Sequence, residues 1–470
     1  MFQEKEDKVK ITLAGYNLDA NIIDGFKYLS PNSIFTPETI SAAYARISRS
    51  EKTIDELRYE SIKDVESARR STENIVFGYN HHSVAEHAVF NFDICDVSRL
   101  ASEYIQKHRL ISCTEKSQRY TAANGGYVLP EEFNVDLKIR NICQNLIIEQ
   151  FETYYQILDK LLVYFKDKYP DKKYKEIDFM AKEDARYILP LCATSQFGLT
   201  LNARNLEHLI LTLYSSNILE LRQIADCLLN SSRKITPSLI RYIDPTPYVK
   251  YAKVEVQSYL DEYKLINKEH KLSLDLVSLI SCDNLDLLVA SIIYSLGYGN
   301  YNYCEKITKS LSKIETEQLL RIATKDMGIH DSLMREYELV DLIFEIIISA
   351  AGYGQLKRHR MTTQIVNEYD IYLGVTVPES IQNSCFDIYN EIIKKTNRIY
   401  LEINKKLPNH ICSYILTNSH RRRVLLKTNL REMYHIAKLR TKPEAQWDIR
   451  QITNKMIGLI KDKISIQMGI

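Results

Sequence analysis

The chain has 470 residues, with 14 glycines, 11 prolines and a formal net charge of +2. This length exceeds what one hydrophobic core ordinarily serves, so we expect two folded domains. A charge so close to neutral excludes a general role in binding polyanions, and we expect no nucleic acid partner. The basic residues stand in short local clusters, which favours a small anionic ligand.

Nine cysteines occur singly, with no Cys-x-x-Cys pair. This argues against a zinc site and a disulfide framework, and it is typical of a reducing compartment. The first ten residues are charged rather than apolar, and the longest apolar run, 342–351, is interrupted by Glu345. We therefore expect a cytoplasmic protein with no signal peptide and no membrane-spanning segment.

The first half begins with strands and helices in alternation. Residues 9–15 predict a strand, and residues 37–75 carry helical periodicity. From Phe90 onward apolar and polar residues alternate, which predicts a half-buried strand. A helix predicted over 97–107 follows that strand.

A basic tripeptide, Lys107-His108-Arg109, stands at the end of that helix, and seven residues separate it from Ser117 in the sequence EKSQRY. Arginine and serine are donors that suit phosphate oxygens. Charge runs are usually solvated faces, but here hydroxyl groups stand at fixed spacing among the charges, so we favour a site. The glycines form no phosphate-binding loop, so side chains would have to hold a phosphate.

The rest of the first half is mainly helical. A long helix is predicted over 131–168 and an amphipathic helix over 218–230. Between them stand a proline-centred segment, ARYILPL, and a polar cluster, NARNLEHLILTL. Prolines at 245 and 247 predict a linker.

After the linker the pattern restarts. Four segments of the second half echo four of the first half in the same order: 276–286 echoes 11–19, 336–346 echoes 86–94, the tripeptide at 358–360 echoes 107–109, and 428–440 echoes 201–213. The chain is therefore an internal repeat. Strands followed by helices in each half predict an α+β fold.

Several features keep a simpler explanation beside the functional one. The histidines within 81–87 have no recognised ligand spacing, so we expect no metal. Asn202 and Asn429 either cap helices or contact a ligand. Trp447 fits a protein core better than cofactor stacking. No cysteine or serine stands in a nucleophile motif, so the chemistry would have to come from a bound cofactor.

With these residues laid out, the chain resembles the flavin-dependent thymidylate synthases. The family signature is Arg-His-Arg, seven residues and Ser, embedded in Glu-x-Ser-x-Arg-Tyr, and HHSVAEHAVF, ARYILPL, NARNLEH and AQWDIR match further family segments. The family chain is shorter, so the resemblance is to two family domains in tandem: residues 1–245, a linker at 246–268, and a more degenerate copy at 269–470. The implied fold is α+β, each copy being a mostly antiparallel sheet with helices.

The resemblance also implies a reaction, the reductive methylation of dUMP to dTMP. FAD is the implied cofactor, with NADPH and methylenetetrahydrofolate as co-substrates. No enzyme nucleophile attacks the base in this family, which agrees with the missing nucleophile motif. Each family site is assembled at a subunit interface from two residue sets.

The first half keeps one of these sets and has lost the other. Matching residues are Glu115, Ser117, Arg119 and Arg186, and Ser83 matches a flavin contact. In the second set, Tyr104 stands for a glutamine, Lys107 for the first arginine of the tripeptide, and Leu213 for the activating arginine.

The second half shows the reverse pattern. Matching residues are Gln355, Arg358, His359, Arg360, Asn429, Arg431 and Arg440. Glu368 stands where the serine belongs, and Ser413 stands for the arginine of the proline-centred segment. His208 and His435 stand where the family often has an asparagine.

The losses are complementary, so one pairing of the halves yields a complete dUMP site and the reciprocal pairing yields none. We expect Arg440 and Ser117 to be catalytic, Arg440 by stabilising charge on the uracil ring. The expected substrate-binding residues are Glu115, Ser117, Gln118, Arg119, Arg186, Gln355, Arg358 and Arg440. The expected cofactor-binding residues are Ser83, Glu115, Arg358, His359, Arg360, Asn429, Arg431 and His435.

The family assembles four domains, so we expect a homodimer that forms a four-domain pseudo-tetramer. Two alternatives stay open. One is an enzyme on the same scaffold that acts on another pyrimidine nucleotide. The other is a flavin-free pseudoenzyme that acts as a binding protein, which the degenerate set in each half would explain.

Overall fold

The computed structural model describes residues 3–4, 9–24, 35–263, 274–328 and 330–463. The chain divides into two compact units, and each contains parts of both halves of the sequence. Unit 1 comprises Met1–Glu152, Pro190–Lys271 and Ile399–Ile415, and unit 2 comprises Thr153–Leu189, Leu272–Arg398 and Leu416–Ile470.

In the part of the first half that the structure describes there are six strands: β1 (Gln3–Glu4), β2 (Lys10–Tyr16), β3 (Val89–Ser98), β4 (Ser112–Glu115), β5 (Gly126–Tyr127) and β6 (Thr194–Asn202). Four of them form the antiparallel sheet of unit 1 in the order β2-β3-β6-β4, while β1 and β5 make a short parallel pair. In β3 the predicted alternation is confirmed, because Phe90, Phe92 and Ile94 are buried and Asn91 and Asp93 are exposed.

The described residues of the first half and of the linker form ten α-helices: α1 (Ala20–Asp24), α2 (Glu38–Arg46), α3 (Ile54–Lys63), α4 (Val65–Glu73), α5 (Arg99–Gln106), α6 (Leu137–Lys168), α7 (Tyr174–Ala185), α8 (Ala203–Tyr214), α9 (Leu219–Arg233) and α10 (Pro247–Glu262). Two of them start directly at strand ends. Ser98 Oγ accepts from the Ala101 N–H at the start of α5, and Asn202 Oδ1 accepts from the Asn205 N–H at the start of α8. Such caps satisfy N–H groups that have no partner inside the helix.

Within residues 274–328 and 330–463 the second half has four strands: β7 (Val277–Cys282), β8 (Asp341–Ser349), β9 (Thr363–Tyr369) and β10 (Arg421–Asn429). They form the antiparallel sheet of unit 2 in the order β7-β8-β10-β9. The helices are α11 (Leu285–Ser295), α12 (Tyr301–Ser310), α13 (Lys313–Thr324), α14 (Ala350–Leu356), α15 (Glu379–Ser384), α16 (Phe386–Ile403), α17 (Asn409–Cys412), α18 (Leu430–Arg440) and α19 (Trp447–Lys463).

The two sheets have the same strand order, first-second-fourth-third in each half of the sequence. The caps repeat as well, since Ser349 starts α14 and Asn429 starts α18. The core of unit 2 gathers Phe344 and Ile346 from β8 with Met456 from α19. The predicted α+β fold, with an antiparallel sheet and helices in each of two copies, is confirmed.

Each half of the sequence also gives one segment to the unit built mainly from the other half. Helix α6 passes from unit 1 to unit 2 after Glu152, and α16 passes from unit 2 to unit 1 after Arg398. A short 3-10 helix at Arg186–Ile188 therefore belongs to unit 2, and its counterpart at Ser413–Ile415 belongs to unit 1. The compact units exchange these two segments, and the ranges 1–245 and 269–470 stay a prediction about the sequence repeat.

Part of the predicted linker at 246–268 is helical. Thr246 Oγ1 caps α10 and Pro247 occupies the first turn, a position where proline favours a helix. Residues 264–268 lie outside the described residues. Among the helices that the structure describes, none is long and apolar enough to cross a bilayer.

Candidate active site

The segment after β4 in unit 1 is held by a buried network around Glu115. The Glu115 carboxylate accepts from Arg99 Nη1 at 2.9 and 3.1 Å, from Ser102 Oγ at 2.9 Å and from Ser195 Oγ at 2.7 Å. The side chains of Arg99 and Glu115 are 8% and 7% exposed. Because a buried ion pair needs additional hydrogen bonds to offset its desolvation, the two serines complete the network.

Ser117 lies in the turn that follows Glu115. Its Oγ accepts from the Arg119 backbone N–H at 3.2 Å, and its carbonyl accepts from the N–H groups of Tyr120 and Thr121. Gln118 and Arg119 are half-buried in the same turn. The structure therefore brings Glu115, Ser117, Gln118 and Arg119 together at one end of the unit 1 sheet.

The other residue set is dismantled in unit 1. Leu213, which stands for the activating arginine, is 1% exposed and packs as a core residue. The Lys107 ammonium lies 4.6 Å from the centre of the Tyr104 ring. His108 Nδ1 lies 3.0 Å from the Ile105 carbonyl oxygen, and burial lowers the pKa of His108 to about 4. A neutral histidine bonded to the end of the preceding helix, α5, indicates a structural role there.

Unit 2 keeps the matching set as a connected network around Arg440. Arg440 Nε donates to His359 Nε2 at 2.9 Å, while Nη1 and Nη2 donate to the Oε1 and backbone carbonyl of Gln355 at 3.0 and 3.2 Å. His359 Nδ1 lies 3.2 Å from Glu432 Oε1. Gln355 of α14 and His359, which follows that helix, thus fix the Arg440 guanidinium group through all three of its nitrogen atoms.

The predicted cofactor residues of unit 2 fall into two groups. His359 is buried, and Asn429 Oδ1 caps α18 by accepting from the Glu432 N–H at 2.9 Å. Arg431 donates to the Leu333 carbonyl and to Glu338. The second group is exposed to solvent and consists of Arg358, Arg360 and His435.

Unit 1 repeats the cap and the ion pair. Asn202 caps α8, and Arg204 pairs with Glu86 at 2.5 Å. Strand register makes these positions equivalent, since Val89 is opposite Asn202 in unit 1 and Asp341 is opposite Asn429 in unit 2. The helix-cap interpretation therefore accounts for both asparagines. Ser83, the predicted flavin contact of unit 1, is exposed in the 3-10 helix His82–His87.

Arg186 lies in unit 2, in the segment that the first half contributes. The Arg186 carbonyl accepts from Asn418 Nδ2 at 2.9 Å, and the guanidinium is buried. The next residue, Tyr187, donates to Asp448 Oδ2 at 3.2 Å, and Ser349 Oγ donates to the same oxygen. Burial raises the pKa of Asp448, while Arg186 acts to lower it. Asp448 therefore joins the Arg186 segment to the cap of α14, the helix that carries Gln355.

Unit 1 contains the same arrangement of a carboxylate, a helix-cap serine and a tyrosine, with the tyrosine contributed by the second half of the sequence. Glu220 accepts from Ser98 Oγ at 2.7 Å and from Tyr414 Oη at 2.6 Å. Tyr414 follows Ser413, just as Tyr187 follows Arg186. Sequence reasoning missed Glu220, Asp448 and Glu432, although Asp448 stands inside the AQWDIR segment. Trp447 is half-buried, stacks on Tyr187 at 5.3 Å and donates to Asp184.

Residues 366–370 of unit 2, in and directly after β9, have lost the features that unit 1 shows at 115–119. Val366 pairs with Val424 of β10 as Glu115 pairs with Phe197 of β6, so Val366 takes the place of Glu115. By the same spacing Glu368 replaces Ser117 and Asp370 replaces Arg119. Two carboxylates thus stand where a hydroxyl and a guanidinium stand in unit 1.

Comparison with known proteins agrees with a duplicated domain. The family model described as Thymidylate synthase complementing protein matches residues 33–238 and again residues 283–464. The chain therefore belongs to this family, that of the flavin-dependent thymidylate synthases, and carries two copies of the family domain.

Of two curated relatives, one aligns with most of this chain and the other with about half of it. A UPF0159 protein of Thermoplasma acidophilum is 23% identical over 439 residues, covering 82% of this chain and 85% of the relative. The flavin-dependent thymidylate synthase of Clostridium tetani is 29% identical over 215 residues, covering 45% of this chain and 83% of the relative.

Two solved structures are similar to part of the chain. A UMP/dUMP methylase PolB from Streptomyces cacaoi bound with 5-Br dUMP has a TM-score of 0.38 and 17% identity, over 51% of this chain and 95% of that chain. Thymidylate Synthase X of Helicobacter pylori with FAD and dUMP has a TM-score of 0.30 and 19% identity, over 50% of this chain and 97% of that chain.

Proposed function

We propose that the protein is an FAD-dependent thymidylate synthase that reductively methylates dUMP to dTMP, using methylenetetrahydrofolate and NADPH. Membership in the family supports the reaction class, and the observation that carries the proposal is the sorting of site residues between the two units. In the assembled protein, one working site takes one residue set from a unit 1 and the other from a unit 2.

The residues that unit 2 keeps are those that unit 1 has lost. Gln355, Arg440 and Arg186 belong to unit 2, and the matching positions of unit 1 hold Tyr104, Leu213 and Ser413. All three losses fall on the same unit only because the segments carrying Arg186 and Ser413 are exchanged. Loss of function without selection would not sort substitutions in this way.

The opposite sorting holds for residues 115–119 of unit 1 and the matching residues 366–370 of unit 2. Unit 1 keeps Glu115, Ser117 and Arg119, whereas unit 2 has Val366, Glu368 and Asp370. Two carboxylates at these positions would repel a nucleotide phosphate. A site built from the two degenerate sets therefore cannot bind dUMP. Only the site built from the two retained sets can work.

Arg440 is the residue that we assign to activation of the base. Its guanidinium group is always charged and its orientation is fixed by His359 and Gln355. When the uracil ring attacks a one-carbon electrophile, negative charge at the N3 edge favours the reaction. A fixed cation at that edge stabilises this charge without reorganisation of the protein.

The phosphate and sugar of dUMP fall to the remaining residues. Ser117, Gln118 and Arg119 supply a hydroxyl, an amide and a forked guanidinium from one turn, and Arg358 supplies a second guanidinium, which is exposed. Arg186 adds a buried cation next to the helix that carries Gln355. The Glu115 carboxylate, already bonded to Arg99, Ser102 and Ser195, positions this turn.

The exposed residues of both units fit FAD better than the buried ones. Arg358 and Arg360 are exposed cations that suit the diphosphate, and His435 and Ser83 are exposed polar groups. His359, Asn429 and Arg431 are held by protein partners, so we assign them to positioning. When bound, FAD would supply the reducing equivalents that convert the transferred one-carbon unit to a methyl group.

Turnover by the purified protein tests the proposal. With FAD, NADPH, methylenetetrahydrofolate and dUMP, mass spectrometry should detect dTMP, and the gene should restore growth of a thymidine-requiring host. UMP in place of dUMP tests the alternative pyrimidine substrate. A flavin-loaded protein that makes no dTMP would contradict the proposal. We further propose a homodimer with two working sites, which the solution mass tests.

A further inference from the structure

Glu432 is a polar residue of unit 2 that the functional roles above leave unassigned. It lies in the first turn of α18, and its side chain is 12% exposed. Its Oε1 is 3.2 Å from Nδ1 of His359, whose other ring nitrogen is 2.9 Å from Arg440 Nε. Two side chains of α18 and one from the turn after α14 therefore form a continuous line of hydrogen bonds.

The chemistry of the two end groups determines which nitrogen of His359 carries the proton. Arginine Nε can only donate, so His359 Nε2 must be the acceptor and carry a lone pair. An ionised carboxylate can only accept, so Nδ1 must carry the hydrogen and donate to Glu432. His359 is then the neutral Nδ1–H tautomer, the less common form that a partner at Nδ1 selects.

We propose that Glu432 is a positioning residue for the reaction: it selects the Nδ1–H tautomer of His359, which holds the Arg440 guanidinium in the plane required to act on the nucleotide. This inference rests on the proposed function for the role of Arg440, but not for the tautomer itself. Gln355 holds the other edge of the guanidinium, at 3.0 and 3.2 Å.

Unit 1 supports the assignment because the whole line is lost there together. Asn205 takes the place of Glu432, and its Nδ2 donates to Asn202 at 2.8 Å. His108 is retained but bonds the Ile105 carbonyl at the end of α5, and Leu213 replaces the arginine. A carboxylate that only stabilised the helix start would have no reason to disappear with the arginine.

Charged groups around His359 support the neutral form. Burial lowers the pKa of His359, Glu432 raises it, and Arg440 and His435 of α18 lower it further. Arg358 and Arg360 flank it in sequence and add positive charge. Protonation would place a second N–H against Arg440 Nε, so acid should disrupt this line of bonds.

The first test observes the tautomer without any turnover. In FAD-loaded protein labelled with ¹⁵N-histidine, and with His359→Asn for assignment, long-range ¹H–¹⁵N spectra should show His359 as the Nδ1–H form. Glu432→Ala should shift it toward the Nε2–H form, and Glu432→Gln, whose amide oxygen still accepts, should retain Nδ1–H. An Nε2–H form in the wild type would overturn the inference, whether or not the protein makes dTMP.

The second test measures kinetics in the same variants. Glu432→Ala should lower kcat about 10- to 100-fold, the scale of a misplaced reacting group, with a smaller change in KM for dUMP because the phosphate contacts remain. Glu432→Gln should keep most of kcat and move the acidic limb of the pH profile to lower pH, since the influence that raises the His359 pKa is gone. The matched variant Asn205→Ala in unit 1 should keep wild-type rates. Equal losses in Glu432→Ala and Glu432→Gln, or an unmoved pH profile, would contradict the inference.

Discussion

Replacing Arg119 by alanine and Asp370 by asparagine tests how nucleotide-binding residues are divided between the units. The two positions match in the repeat, at the same distance from the basic tripeptide. In Arg119→Ala the turn should keep its shape, because the backbone N–H of residue 119 donates to Ser117 Oγ. In the wild type the Tyr372 N–H donates to Asp370 Oδ1 at 2.8 Å. The amide oxygen of Asp370→Asn can still accept this hydrogen bond, so only the charge is lost.

The expected effects differ by one to two orders of magnitude. A charge-assisted hydrogen bond from arginine to phosphate contributes about 1.5–3 kcal/mol. Since about 1.4 kcal/mol corresponds to a factor of ten, Arg119→Ala should raise KM for dUMP about 10- to 150-fold. Asp370→Asn should leave KM unchanged, because the proposal puts no nucleotide beside this residue.

Initial rates of dTMP formation at saturating NADPH and methylenetetrahydrofolate give KM, and calorimetric titration of dUMP gives the affinity. Circular dichroism checks that both variants are folded. Similar losses from the two substitutions, or tighter dUMP binding in Asp370→Asn, would refute the division of the site between the units.

Three further predictions follow from the burial of single side chains and from residues that match between the two halves. Arg186→Lys should lower kcat/KM for dUMP in rate assays, because lysine lacks the forked donors of arginine, whereas Ser413→Ala, which loses one hydrogen bond to the Asn409 carbonyl, should keep it. Leu213→Ala should lower the unfolding free energy by about 2–5 kcal/mol in thermal or urea unfolding, since this leucine is buried. The rate per folded molecule should not change. The control variant Leu213→Met should change neither the stability nor the rate. Burial lowers the pKa of His420 from 6.5 to about 4, so between these values the unfolded chain binds a proton that the folded chain does not, and stability should fall by up to about 3 kcal/mol as pH drops through this window. Urea unfolding of His420→Gln should show a correspondingly weaker pH dependence, and an unchanged dependence would contradict this assignment.

Features that depend on local periodicity could be predicted from the sequence. The alternation from Phe90 marks β3 because the buried and exposed faces of a strand alternate. The spacing within each half also revealed the repeat, and strand register places Asn202 and Asn429 at equivalent positions. These are short-range patterns that survive without knowledge of tertiary contacts.

Features that depend on which segments pack together could not be predicted. The apolar pattern of α6 is the same whichever unit receives its second part, so the exchange of Arg186 and Ser413 between units left no local signal. Glu432 was missed because its neighbours, His359 and Arg440, are distant in sequence. A comparison of aligned positions offered a signal. Helix α18 differs from α8 at both ends: Glu432 stands for Asn205 near the start, and Arg440 stands for Leu213 at the end.

The number of nucleotides bound per chain tests the central claim most directly. Calorimetric titration of dUMP into FAD-loaded protein should give one binding site per 470-residue chain, and Arg119→Ala and Arg440→Ala should each weaken that same site. Two sites per chain, or binding that responds to only one of the two substitutions, would contradict the account.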